Sequence, residues 1–194
     1  MAGPRPAVRQ QLLDATYECV ARWGLAKTTV GDAAREAGVS RATVYRYFPG
    51  GRDELMAAVV AVEYERFFRR LYEEVHQAAS IEEVLERGLP LARQAVDDHL
   101  VLQRMLRTEP DVLLPRLTVE SQHTRGLIAQ FLQPFLERHE LRPGVDPAEA
   151  ARFLARMVLS YIGSPGRADL TDPAQLSRVV RHQLLAGIVP DRPA

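Results

Sequence analysis

Hydrophobic residues recur every three to four positions along nearly the whole chain, which is the spacing of one face of an α-helix. In residues 7–23 the apolar positions fall on one side of such a helix, and Gly24 follows them. No segment alternates apolar and polar residues convincingly in the manner of a half-buried strand. The pattern therefore predicts an all-α protein.

Further helices are predicted along the rest of the chain. They begin near Arg52 and after Ser80, and they cover residues 100–107, 114–139, 148–160 and 173–186. Pro90 lies inside one of these patterns, and we expect it to kink or interrupt that helix because proline lacks a backbone N–H. The last helix has an N-cap at Asp172, proline at its first position and Gly187 as its stop.

Residues 28–48 predict two short helices joined by a tight turn. Thr28 or Thr29 can cap the first helix, whose buried stripe consists of small residues, namely Val30, Ala33, Ala34 and Ala37. Gly38 suits the positive φ at which a helix stops, and Ser40 is a natural N-cap for the second helix. On that second helix Val44 and Phe48 are four residues apart and should point inward.

The second short helix leaves a basic and aromatic face outside. Its outward residues are Arg41, Ala42, Thr43, Tyr45 and Arg46. A surface helical hairpin without function is the alternative, but an inert solvated face would more often mix Glu and Lys. The arrangement is that of a helix-turn-helix, whose second helix enters the major groove of DNA.

Charge supports DNA binding through its distribution, because the net charge of the chain is zero. Residues 1–52 hold eight Lys and Arg against four Asp and Glu, which gives 8 − 4 = +4. The other residues hold seventeen against twenty-one, which gives 17 − 21 = −4. A basic segment on a mildly acidic remainder is suited to phosphate attraction.

The first 55 residues or so resemble the tetracycline-repressor (TetR) family of bacterial transcription regulators. The resemblance is carried by Leu13-Asp14-Ala15, Trp23-Gly24, Thr28-Thr29-Val30, residues 34–40, Tyr45-Arg46-Tyr47-Phe48 and Glu54-Leu55. It implies an all-α fold of about nine helices, with a helix-turn-helix DNA-binding domain of three helices over residues 1–51. Residues 52–194 are then a helical domain for ligand binding and dimerisation, and the last two helices of each chain pair in a homodimer.

Individual DNA contacts also follow from the resemblance. Thr29, Tyr45, Tyr47 and Arg52 match positions that grip phosphates, and Arg41, Ala42, Thr43 and Arg46 match positions that face base edges. Ser40, the N-cap, completes the predicted DNA-binding set. Two departures stand out: Gly31 replaces a polar or basic side chain, and the linker before Arg52 is one residue longer than usual.

A small-molecule effector is expected among the middle helices. The candidate walls are Leu102, Met105, Leu106, Phe131, Phe135, Met157 and Tyr161, with Arg107, Glu109 or His123 as polar anchors. Taken one at a time, each of these residues fits plain core or surface better than a ligand site. The mainly apolar set favours a hydrophobic or amphipathic effector, such as a lipid-like or aromatic molecule. The apolar residues that fit the dimer contact are Ala148, Ala151, Ala155, Leu159, Ile162, Leu176, Val179, Val180, Leu184 and Ile188. An ordinary core within the chain is the alternative for them, and the sequence alone separates the two poorly.

Other classes of protein receive little support. The chain lacks a nucleophile with a base, a glycine-rich phosphate loop and histidines at metal-ligand spacing, so we expect no enzyme, cofactor or metal. No apolar run approaches a membrane span, and residues 1–6 lack an apolar signal core, so a cytoplasmic protein is expected.

The leading prediction is a repressor released from a palindromic operator by an effector. The alternatives are an enzyme that kept a DNA-binding segment and a nonspecific DNA binder without effector.

Overall fold

A computed structural model describes residues 5–108, 110–163, 166 and 168–190. These residues form nine α-helices and one π-helical turn, and no strand occurs among them. The helices are α1 (Arg5–Trp23), α2 (Val30–Glu36), α3 (Arg41–Tyr47), α4 (Gly51–Val75), α5 (Ile81–Asp97), α6 (Leu100–Thr108), α7 (Pro110–Glu137), α8 (Pro147–Gly163) and α9 (Pro173–Val179). The π-helical turn spans Val180–Leu184. None of the helices, over the residues described, has the length and apolar character needed to cross a bilayer.

The all-α prediction is confirmed, and the differences lie at prolines and helix ends. Helix α5 continues through Pro90, so the expected interruption does not occur. Burial of Leu89 and Ala92 on either side stabilises the helix although Pro90 cannot donate a backbone hydrogen bond. Helix α7 already begins at Pro110, and the last predicted helix changes to a π-helical turn after Val179.

The chain divides into two compact units. The first contains the residues up to Phe67 together with His99–Pro115. Its main core joins α1, α3 and α4 through side chains at most 1% exposed, namely Leu12, Val44, Phe48 and Leu55. A second cluster packs Met105 of α6 against Val20, Leu25 and Met56.

This first unit is larger than the segment predicted to bind DNA. Residues 1–51 were expected to form one domain and residues 52–194 the other. The first part of α4 belongs to the first unit because Leu55 and Val59 are buried in its core, and α6 joins through Met105. The assignment of DNA binding to 1–51 and of ligand binding to 52–194 stays a prediction.

The second unit contains Phe68–Asp98 and the residues from Arg116 onward. Helix α5 packs on α8, and the Arg93 guanidinium donates a 2.6 Å hydrogen bond to the Ile162 carbonyl. Most of the apolar residues expected at a dimer contact are buried inside this unit, at 0–7% exposure: Ala151, Ala155, Leu176, Val179, Val180, Leu184 and Ile188. They pack in the chain's own core and leave little surface for a partner, so the homodimer contact through the last two helices stays a prediction. Ala148, Leu159 and Ile162 are half-buried.

Candidate nucleic-acid interface

Helix α2 begins with a reciprocal capping box between Thr29 and Asp32. The Thr29 hydroxyl oxygen accepts a 3.2 Å hydrogen bond from the Asp32 N–H. The Asp32 carboxylate accepts from the Thr29 N–H at 3.1 Å and from its hydroxyl at 2.6 Å. Thr28 is buried instead and donates to the Gly24 carbonyl at 2.8 Å. Thr29 is therefore the cap, and Asp32 takes both of its hydrogen-bond donors.

The turn between α2 and α3 has the geometry that the sequence predicts. Gly38 has φ +65°, a region that favours glycine. The next N–H, that of Val39, donates to the Ala34 carbonyl at 2.9 Å and closes the end of α2. Ser40 then caps α3, because its hydroxyl oxygen accepts a 3.1 Å hydrogen bond from the Thr43 N–H.

Helix α3 separates a buried side from an exposed side. Val44 is 0% exposed and Phe48, at the C-cap, is 1% exposed. Thr43 and Tyr47 are half-buried at the margins. The exposed residues share one face at positions i, i+1, i+4 and i+5, namely Arg41, Ala42, Tyr45 and Arg46. The core thus fixes the direction in which this face points.

The arginines on this face lack the ion pairs that Arg22 and Arg35 of the same unit make. Arg22 pairs with Glu36 at 3.1 Å, and Arg35 pairs with Asp32 at 3.0 Å. Among the described residues, neither Arg41 nor Arg46 has an ion-pair partner. Uncompensated positive charge therefore concentrates on the outer face of α3, which is where phosphates and base acceptors would meet it.

Two further contacts orient side chains of this face. The ring of Tyr45 lies so close to Gly51 that an added Cβ there would be 3.2 Å from Tyr45 Cε1. Gly51 also has φ +68° and begins α4. The Arg46 guanidinium lies 5.4 Å from the centre of the Tyr47 ring, a cation–π distance. Tyr45 and Arg46 are thereby held against the surface rather than extended freely.

Arg9 of α1 is a basic residue that sequence reasoning did not select. Its guanidinium lies 5.4 Å from the centre of the Phe48 ring, at the end of α3. The side chain belongs to an exposed residue. The only sequence signal was its contribution to the positive charge of residues 1–52, because the contact joins residues far apart in the chain.

Arg52 makes contacts within its own unit. Its Nε donates a 2.8 Å hydrogen bond to the Thr28 carbonyl, and an Nη donates to the Leu25 carbonyl. The other Nη lies 3.6 Å from a carboxylate oxygen of Asp53. The N-terminus of α4 is also occupied, because Glu54 accepts from the Gly50 N–H at 2.6 Å. These contacts favour a structural role for Arg52, and the phosphate contact predicted for it remains a prediction.

Replacement of Arg52 by alanine distinguishes the two roles. We expect Arg52→Ala to lower the free energy of unfolding by about 1–2 kcal/mol, because the carbonyls of Leu25 and Thr28 lose their charged donor. The slope of log affinity against log salt should not change. Equilibrium unfolding and DNA titrations at several salt concentrations measure both quantities. A slope shallower by about one unit, with unchanged stability, would instead make Arg52 a phosphate ligand.

The capping box gives stability a dependence on pH. Hydrogen bonds from the hydroxyl and N–H of Thr29, aided by Arg35, hold the pKa of Asp32 below its ordinary value. A carboxyl whose pKa is lowered by folding stabilises the fold above its unfolded pKa of about 4. That contribution is lost as the pH falls through the lower pKa of the folded state.

Loss of the cap is expected to lower the free energy of unfolding mainly near neutral pH. Thr29→Ala removes an N-cap, which typically lowers stability by about 1 kcal/mol. Chemical denaturation at pH 7 and below pH ~4 should show the difference from the unmodified protein shrinking in acid. Asp32→Asn is the control and should flatten the pH dependence. A difference that stays constant over this range would contradict the account.

The residues predicted to line an effector site are divided between the two units. Leu102, Met105 and Leu106 pack in the first unit on the cluster of Val20, Leu25 and Met56. Phe131 and Phe135 of the second unit lie 5.4 Å apart between ring centres, and Phe135 is 2% exposed.

The remaining members of that set lie on α8. Met157 and Tyr161 are half-buried, and the Tyr161 hydroxyl donates to Gln183. Of the polar anchors, Arg107 and His123 are exposed, and Glu109 lies outside the described residues. Within the described part of the chain, no three His, Cys, Asp or Glu residues converge as metal ligands.

Comparison with known proteins bears on the segment that carries this interface. The sequence model of the family described as "Bacterial regulatory proteins, tetR family" matches residues 12–59. The chain is also similar to the HTH-type transcriptional regulator AlkX of Mycobacterium tuberculosis. The two are 27% identical over 183 residues, which are 91% of this chain and 84% of that protein.

Solved structures show the same fold. One is the TetR family repressor AlkX from Dietzia sp., implicated in biodegradation of n-alkanes, with a TM-score of 0.61 and 24% identity over 95% of this chain and 99% of that one. Another is the SmeT–triclosan complex, with a TM-score of 0.57 and 24% identity over 95% of this chain and 93% of that one. The helix-turn-helix and the helices that follow it thus recur together in these proteins.

Proposed function

Because this chain belongs to the tetR family of bacterial regulatory proteins, which bind DNA and are not enzymes, we propose that it is a ligand-released repressor. In this proposal a homodimer binds a palindromic operator, and a small hydrophobic effector releases it. Since such a regulator acts on the chromosome, its place is the bacterial cytoplasm.

The exposed face of α3 is the observation that carries the proposal. Arg41 and Arg46 have no ion-pair partner among the described residues, and Tyr45 is 51% exposed. Arginine can pair with guanine O6 and N7, while the methyl groups of Ala42 and Thr43 can pack on thymine. Tyr45, Tyr47 and Ser40 would then fix the register of the helix on the DNA, whereas a phosphate contact by Thr29 would require its hydroxyl to leave Asp32.

A palindromic operator follows from two-fold symmetry. A homodimer presents two α3 helices, and each reads one half-site about one helical turn or more from the other. We place the dimer contact on α8 and residues 173–184, as the resemblance implies. Because the apolar side of these segments is buried in the chain's own core, their exposed side must supply the contact. That side carries Arg152, Arg156, Arg178 and Arg181 beside Glu149.

The effector is proposed to be a hydrophobic small molecule, either lipid-like or aromatic. Two similar proteins support this class: the Dietzia regulator is implicated in biodegradation of n-alkanes, and SmeT was solved in complex with triclosan. Of the predicted lining residues, Phe131, Met157 and Tyr161 are half-buried and so keep surface for a ligand. Phe135 and Met105 are buried, at 2% and 8% exposure, and so leave little surface for a ligand.

Release requires the effector to prefer the conformation that does not bind DNA. A ligand shifts the equilibrium only by its difference in affinity for the two states. Helix α4 starts in the first unit and continues into the second, so its residues are covalently positioned to transmit such a change.

Operator binding titrated with candidate effectors tests the release. Fluorescence anisotropy of a labelled operator would be followed while alkanes, medium- and long-chain fatty acids and hydrophobic phenols are added. We expect at least one class to lower operator affinity, and Met157→Glu to weaken that response without changing affinity in its absence. If saturating ligands of every class bind the protein but leave operator affinity unchanged, effector-controlled release is rejected.

A further inference from the structure

The guanidinium of Arg41 lies over the backbone of α2 at Gly31. A Cβ added at residue 31 would be 2.9 Å from both Cζ and Nε of Arg41, and it would also collide with an Nη. At such distances the guanidinium, which is the far end of a flexible and exposed side chain, would have to move away. The missing side chain at Gly31 is therefore what leaves room for Arg41 at this place.

The guanidinium in this position is available to an outside ligand. Arg41 is exposed, and no described residue accepts a hydrogen bond from it or pairs with it. The nearest carboxylate in sequence to Gly31, that of Asp32, is already bound by Thr29 and by Arg35. Arg41 thus presents a fork of N–H donors without a protein acceptor.

The two helices of a helix-turn-helix meet different parts of the DNA. The second helix lies in the major groove, whereas the first crosses the phosphate backbone. Although Arg41 belongs to α3, its guanidinium lies over α2 and hence over the helix that crosses the phosphates. Arginine and phosphate form paired, charge-assisted hydrogen bonds with well-defined geometry.

We propose that Gly31 forms a seat on α2 from which Arg41 binds a backbone phosphate, rather than the base edge to which its position in α3 would assign it. The inference rests on the proposed function, since it assumes that α3 lies in the major groove of an operator. Base reading then falls to Ala42, Thr43 and Arg46, and Gly31 becomes a positioning residue for DNA binding.

Replacement of Arg41 tests which part of the DNA it binds. Arg41→Ala should weaken binding about tenfold, and by the same factor for the operator and for each of its single-base-pair variants. The slope of log affinity against log salt should become shallower by about one unit. A loss confined to one base pair, with the slope unchanged, would make Arg41 a base reader and overturn the proposal.

Replacement of Gly31 tests the seat itself. Gly31→Ala should displace the guanidinium and reduce affinity towards the level of Arg41→Ala, and the double variant should lose no more than Arg41→Ala alone. Thermal stability should not fall, because alanine favours a helix more than glycine does. Gly126→Ala in α7 is the matched control, since a Cβ there meets nothing within 4 Å. Unchanged affinity in Gly31→Ala, or losses that multiply in the double variant, would overturn the seat.

Failure of the seat and failure of the proposed function give different results. If the unmodified protein prefers no DNA sequence, the proposed function fails and the seat falls with it. If the unmodified protein has a specific operator, a result contrary to those expected for Arg41 and Gly31 rejects the seat alone.

Discussion

Replacement of Phe48 by alanine is expected to destabilise the first compact unit by about 3–5 kcal/mol. Phe48 is 1% exposed and lies in the core that joins α1, α3 and α4. Truncation would remove buried apolar surface and leave a cavity that the short α3 cannot close. Since Val44 and Phe48 together hold the outer face of α3 in place, DNA binding should be lost with the fold of this unit.

Unfolding in denaturant, followed by circular dichroism, measures the loss. Tyr45→Ala is the control on the same helix, because Tyr45 is 51% exposed and its truncation should change stability by about 0.5 kcal/mol or less. Equal losses in the two variants would show that α3 is not anchored through Phe48.

Replacement of Arg46 by alanine is expected to cost about 1–3 kcal/mol of binding energy at one operator base pair. Arg46 is exposed, has no ion-pair partner among the described residues and is held by the Tyr47 ring 5.4 Å away. A guanidinium so placed can make the bidentate contact that distinguishes guanine from other bases. The base preference at the other operator positions should change little.

Binding to a set of single-base-pair operator variants measures this effect. Arg46→Lys is the matched variant, since it keeps the charge and loses the bidentate geometry. It should relax the preference at the same base pair while preserving the salt dependence. A uniform loss across all variants of the operator would reassign Arg46 to a phosphate.

The features predicted correctly from sequence are those that depend on neighbouring residues. The stop at Gly38, the cap at Ser40 and the inward pair Val44 and Phe48 all lie within one short segment, and each has a local physical reason. The N-cap, the glycine at the turn and the helical spacing of apolar residues therefore sufficed to predict the position of the helix-turn-helix in the chain. One ambiguity remained, between Thr28 and Thr29, and burial of Thr28 resolves it.

The features that could not be predicted depend on contacts between distant residues. Arg52 binds carbonyls 24 and 27 positions earlier in the chain, and no local pattern indicates such a contact. The same holds for Arg9 over Phe48 and for Arg41 over Gly31. A basic residue in the sequence shows its charge but not whether its donors are already used.

Hydrophobic spacing also does not reveal which partner a helix face meets. The apolar residues of α8 and α9 fit a dimer contact and an internal core equally well, and the structure assigns most of them to the core. Similarly, the predicted effector lining combines Met105 of the first unit with Phe131 of the second. Periodicity identifies an apolar face, and only tertiary packing shows what covers it.

Selection of genomic fragments by the purified protein tests the central claim, that the outer face of α3 makes this protein a sequence-specific regulator. Sheared DNA of the source bacterium would be bound at ~0.15 M salt, recovered and sequenced, in parallel with Arg46→Ala. We expect a small number of fragments that share a palindrome, and loss of the preferred base at one position of each half-site in the variant. Recovery of the whole genome without enrichment, with affinity falling along the salt slope alone, would contradict the account.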